Sequence, residues 1–106
     1  PQGSVNLRLN PWAEGLGALE IYDEVIRSLG RHRIAVIINN HTTVGQWSGG
    51  IESNGIWFDP SGNTIYTEDQ WIEDWAMLAR RYSLCAHMIG CDLRNELRPV
   101  PSARCC

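Results

Sequence analysis

Ile89-Gly90-Cys91-Asp92-Leu93-Arg94-Asn95-Glu96 reads as an apolar strand that stops in an amide beside a carboxylate. Strand interiors deplete Asp, Asn and Glu, because an unpartnered polar group there costs free energy. In parallel α/β folds the carboxyl ends of strands are where the chemistry is done. Glu96 is therefore the candidate catalytic acid, with Asn95 beside it. The competing reading is that the pair only opens a surface loop, since strand-end polar residues are commonly turn formers.

A second strand ends the same way. Ile34-Ala35-Val36-Ile37-Ile38 is apolar without alternation, as a strand covered on both faces of a parallel sheet would be. It runs into Asn39-Asn40-His41. Strand parity predicts Asn39 and His41 on one face, and Asp92, Arg94 and Glu96 on one face.

Between these strands lies a helix with clear end signals. Thr67-Glu68-Asp69-Gln70 has the form of a capping box, in which Thr67 caps free amides and Gln70 reaches back. Trp71, Ile72, Trp75, Leu78, Ala79 and Tyr82 form the expected buried face, and Arg80-Arg81 close the last turn. The carboxylates Glu68, Asp69, Glu73 and Asp74 fit a helix start better than a metal cluster. Upstream, Leu19, Tyr22, Val25, Ile26 and Leu29 share a face and predict a helix from about Ala18 to Leu29, ended by Gly30 at C′. Arg31-His32-Arg33 reads as a polar turn. Val5, Leu7 and Leu9 alternate and permit a short strand before Asn10-Pro11. The expected order is helix, strand, long loop, helix, strand, with the strand–helix–strand part a right-handed parallel unit.

The connection from Thr42 to about Tyr66 keeps no period. Gly45, Gly49, Gly50, Gly55, Pro60 and Gly62 punctuate it, and it carries Trp47, Trp57 and Phe58. Long unstructured connections in compact domains are usually functional or disordered. The aromatics favour an ordered loop, with its rings either gluing it down or binding a ligand.

Composition narrows the function classes. At 106 residues the chain holds at most one small domain. Its formal net charge is −3, and all nine basic residues are scattered arginines, so no basic patch argues for nucleic acid. The longest apolar run, Ile34 to Ile38, is too short to span a membrane. Cys85, His87 and Cys91 share strand parity. On one strand, however, the two thiols would lie roughly 20 Å apart, too far for one metal ion. Cys105-Cys106 lack a zinc spacing. No cofactor is implied. The Pro-Gln-Gly start, without methionine or signal peptide, suggests a cut within a longer protein.

The motifs "VIINNHTTVGQWSGGIESNGIWF", "YTEDQWIEDWAMLARRY" and "MIGCDLRNELRP" together resemble the cellulases of glycoside hydrolase family 5, over about residues 18–99. The resemblance implies an α/β chain that is a fragment of a (β/α)8 TIM barrel, about two to three βα units with a long tryptophan-bearing loop. It implies a secreted retaining β-glycosidase acting on β-linked polysaccharide or oligosaccharide. By that resemblance Glu96 is the general acid/base, Asn95 binds the substrate 2-hydroxyl, His41 lines the cleft, and Trp47 and Trp57 face sugars. The departures are as informative. A barrel takes about 250 residues. Retention takes a second carboxylate, and no residue here corresponds to the family's nucleophile. The alternative is a non-catalytic carbohydrate-binding or interaction module derived from such a barrel.

Overall fold

The computed structural model describes residues 5–43, 55–59 and 66–98. Trp47, most of the glycine-punctuated loop, the proline-bearing tail and Cys105-Cys106 lie outside the described residues. The chain divides into two compact units, Pro1–Val36 and Ile37–Cys106.

In the first unit the permitted strand at Val5–Leu9 does not form. The Asn6 side-chain carbonyl accepts from the amides of Arg8 (3.1 Å) and Leu9 (3.4 Å), and its main-chain carbonyl accepts from Asn10 (2.9 Å). A short polar side chain thus offers the backbone a local partner and bends it into a turn. A 3-10 turn follows at Pro11–Ala13, where proline occupies a first-turn position needing no donor.

Helix α1 spans Ala18–Arg31. The Gly17 amide donates to the Glu20 carboxylate at 2.7 Å, half of a capping box. Of the expected apolar face, Ile26 is buried, whereas Leu19, Tyr22 and Val25 are exposed. The helix runs through Gly30, so Gly30 is not its terminator. The left-handed residue is Arg33, at φ 59°. The Arg33 amide bonds Gly30 O at 2.9 Å and the Ile34 amide bonds Leu29 O at 3.0 Å, which together make a Schellman motif. His32 closes the helix, its Nδ1 2.8 Å from Ser28 O. A non-glycine residue in this conformation costs stability. Arg33→Gly is therefore expected to stabilise the protein by about 0.5–1 kcal/mol, read as a higher urea midpoint at unchanged slope. A lower midpoint, the usual result of adding a flexible glycine, would contradict this account of the helix end.

In the second unit helix α2, Glu68–Arg81, starts as expected. Gln70 N donates to Thr67 Oγ1 at 3.2 Å and Thr67 N to Gln70 Oε1 at 2.8 Å. Its expected buried face is only half covered. Trp71, Trp75, Leu78 and Tyr82 are half-buried, while Ile72 and Ala79 are exposed. The rings of Trp57, Trp71 and Trp75 follow one another at centroid spacings of 6.1 and 6.4 Å, a favourable separation for tilted aromatic pairs.

Strands β1 (Val36–Asn39) and β2 (Met88–Asp92) pair side by side in parallel. Both are shorter than the apolar runs suggested. Turn bonds from Cys85 N to Tyr82 O and from Met88 N to Cys85 O (2.9 Å each) take up residues 82–88. Cys85 therefore lies off the strand, its Sγ 3.3 Å from His87 Nε2. The expectation of two covered faces is corrected as well. Val36 and Ile38 are buried, but Ile37 is 59 % and Ile89 66 % exposed. Among the described residues, one face of this two-stranded sheet keeps apolar side chains exposed, whereas parallel sheets usually have both faces covered.

Candidate functional site at the strand ends

The carboxyl ends of β1 and β2 lie together, and their polar residues interlock. Asn39 Nδ2 donates to Asp92 Oδ2 at 2.6 Å across the sheet. His41 Nδ1 lies 3.1 Å from Asn39 Oδ1. Amide, carboxylate and imidazole thus form one chain of hydrogen bonds spanning both strand ends, with Asn39 and His41 together as their parity implies and Asp92 joining them from the neighbouring strand.

The ladder then shifts by one residue. Asn40 N donates to Asp92 O at 3.0 Å, so a regular parallel ladder would return the next bond from residue 94. It comes instead from Asn95 N, to Asn40 O at 2.9 Å. The extra residue acts as a bulge, a feature that often re-aims side chains beside active sites. Glu96 consequently loses the parity with Asp92 and Arg94 that the sequence suggested. It sits in a bend past the strand, with φ at 36°. That left-handed backbone costs on the order of 1–3 kcal/mol for a non-glycine residue, and such strain clusters at functional sites.

Glu96 is exposed, and its Oε2 accepts from Arg98 Nη2 at 2.6 Å. This bond and the Arg98 charge hold the Glu96 carboxyl below the ordinary carboxylate range, and His41 pulls the same way. The depression favours the ionised form, so any stabilisation from this pair is present above the unfolded-state pKa and fades as pH falls through the folded one.

Arg94, which the sequence marked only by its parity, is the hub. Its Nη1 donates to His41 O at 2.6 Å and to Asn95 O at 2.5 Å, and its Nε donates to Ile56 O at 3.1 Å. Burial lowers its pKa, although a guanidinium stays protonated. The segment Gly55–Asp59 is further tied down by Arg98 N to Gly55 O (2.8 Å), by Asp59 N to Tyr66 O (2.8 Å) and by Thr43 Oγ1 to Ile56 O.

Trp57 is half-buried, its Nε1 donating to Glu68 Oε1 at 3.0 Å. With Trp71, Leu93, Leu97, Asp92 and Arg94 it lines an open groove of about 400 Å³. Trp71 Nε1 donates to Asn40 Oδ1 at 3.3 Å, tying α2 to the end of β1. Asn40 and Glu68 had given no sequence signal for these contacts. The groove therefore joins aromatic faces to acids and a cation. Such a surface suits a ligand with both apolar faces and hydroxyl edges.

A two-stranded parallel unit with acid, amide and imidazole at its strand ends has the layout of an α/β enzyme site. Comparison with known proteins makes the class specific. The family model for cellulase (glycosyl hydrolase family 5) matches residues 6–104, and the chain belongs to that family. It is 36 % identical over 93 residues to an endoglucanase of Paenibacillus polymyxa, covering 88 % of this chain and 21 % of the relative. The major extracellular endoglucanase of Xanthomonas campestris is 32 % identical over 93 residues, covering 88 % and 17 %. Among solved structures, the hyperthermophilic endocellulase of the archaeon Pyrococcus horikoshii superposes with a TM-score of 0.65 at 26 % identity. That match covers 86 % of this chain and 22 % of the other. The chain thus spans about a fifth of the length of the relatives it matches.

Proposed function

We propose that residues 1–106 are part of a (β/α)8 barrel that hydrolyses the β-1,4-glycosidic bonds of a polysaccharide with retention of configuration. The observation that carries this reading is the Asn95-Glu96 pair at the end of β2, held beside His41 at the end of β1, in a family 5 chain. Glu96 protonates the glycosidic oxygen as the bond breaks and later takes a proton from the attacking water. Asn95 hydrogen-bonds the 2-hydroxyl, and His41 lines the cleft. The nucleophilic carboxylate comes from outside these 106 residues. Brought near Glu96, it would raise the Glu96 pKa by like-charge repulsion, opposing Arg98, so that the acid can be protonated at working pH. The exposed faces of Ile37 and Ile89 are what a barrel core would cover. The extracellular relative supports secretion of the whole protein.

The direct experiment is reducing-sugar release from cellulose oligomers by the complete barrel and by its Glu96→Gln form. Loss of release in the variant supports the reading; equal rates overturn it.

Trp57 and Trp47 are proposed to stack on sugar rings. Stacking hides apolar area without requiring one hydroxyl pattern, so it contributes mainly to binding. Trp57→Ala or Trp47→Ala is expected to raise KM for oligosaccharides by about tenfold, on the order of 1–2 kcal/mol of lost ring contact. Turnover on a short aryl glycoside should change little. Equal losses on both substrates would favour a packing role only.

A further inference from the structure

We infer that Arg94 is the positioning residue of this site: its hydrogen bond to the Asn95 carbonyl fixes the Asn95–Glu96 peptide plane, and with it the direction in which the Glu96 side chain leaves the backbone. The inference rests on the reading of Glu96 as acid/base.

Among the described residues, few other contacts hold that peptide. Asn95 N is anchored to Asn40 O at 2.9 Å, which fixes the plane before Asn95. The plane after it carries the Asn95 carbonyl and the Glu96 amide. Rotation of this plane changes ψ of Asn95 and φ of Glu96 together. Its carbonyl is bound by Arg94 Nη1 at 2.5 Å. The φ of 36° at Glu96 is one that a free chain would leave, so a contact must hold it. Arg98 grips only the exposed tip of the Glu96 side chain, and rotamer changes can satisfy that bond from several backbone positions. Arg94 also anchors its own fork, through His41 O at 2.6 Å and Ile56 O at 3.1 Å. Peptide plane, β1 end and loop are thereby locked to one planar group. A lysine cannot replace it, because a single ammonium lacks the fixed spacing of Nε and Nη1.

The test uses the complete barrel with Arg94→Lys, Glu96→Gln and the double variant. Each is assayed for kcat/KM, which reports the first chemical step. One substrate is a cello-oligosaccharide, whose leaving group must be protonated. The other is an aryl cellobioside, whose leaving group needs no proton. Misplacement of the acid predicts that Arg94→Lys lowers kcat/KM on the oligosaccharide by about 100-fold. The aryl substrate should stay within about threefold of wild type. If Arg94 acts through Glu96, adding Arg94→Lys to Glu96→Gln costs little more on either substrate. Equal loss on both substrates, full additional loss in the double variant, or loss of the near-UV circular dichroism of Arg94→Lys would each overturn the assignment and leave Arg94 a general clamp. A Glu96→Gln protein without the substrate split would instead sink the acid/base reading itself.

Discussion

Glu96→Gln is expected to lower turnover on β-linked polysaccharide by about 10²–10⁴-fold. Glutamine keeps the shape of the side chain and can still accept from Arg98 Nη2, so the bend at residues 95–96 should survive. What it removes is the proton. A sugar alkoxide is a poor leaving group, and in the second step water is a poor nucleophile without a base. The loss should shrink in the first step with an aryl glycoside, whose leaving group needs little protonation. The falling limb of the pH–rate profile on the alkaline side should vanish with the acid, since that limb reports its ionisation. An unchanged profile, with a rate close to wild type, would return the Asn95-Glu96 pair to the role of a turn.

The 106-residue chain by itself is expected to release no reducing sugar above background. Retention needs two carboxylates in distinct roles; Glu96 is proposed as the acid/base, and the proposed nucleophile lies outside these residues. Without the nucleophile no glycosyl-enzyme forms, so neither displacement of the retaining route proceeds. Folding points the same way. Ile37 and Ile89 expose one side of a two-stranded sheet, and Leu84 is 98 % exposed just before β2. Bare strand edges and apolar patches invite association. The isolated chain should bind a hydrophobic dye, sediment as more than a monomer and melt without a sharp transition. Sugar release free of host enzyme, or a cooperative melt of a monomer, would contradict the proposal that this is part of a barrel.

Signals carried by neighbours in sequence were the most legible. Thr67 and Gln70 sit three residues apart and cap each other as their spacing demanded. Asn39 and His41 meet as their alternation along one strand implies, whereas the partner Asp92 comes from the other strand. Where local signals compete, alternation or a single glycine does not decide the structure. Val5, Leu7 and Leu9 alternate, yet one Asn6 side chain bends the segment. Gly30 looked like the end of α1, but the left-handed turn falls at Arg33, because the Schellman bonds reach back from Arg33 and Ile34. The one-residue shift after Asp92 has no signature in composition, yet it takes Glu96 out of the strand's alternation. Arg94's three carbonyl partners come from three segments, which no spacing rule brings together. The apolar strands implied two covered faces, and coverage depends on layers that a pattern within one strand cannot supply.

Glu96 is proposed as the proton-transferring acid/base of a retaining glycosidase site. The most direct measurement is hydrolysis of an aryl cellobioside by the complete barrel with Glu96→Ala, with and without added azide. Removing the carboxyl leaves the glycosyl-enzyme without a base to activate water, so it accumulates. Azide is a nucleophile that needs no base. Azide is expected to accelerate turnover by about 10-fold or more, toward the wild-type rate. The expected product is the β-glycosyl azide, with the configuration of the substrate. No acceleration by azide, or an α-configured azide product, would overturn the assignment of Glu96.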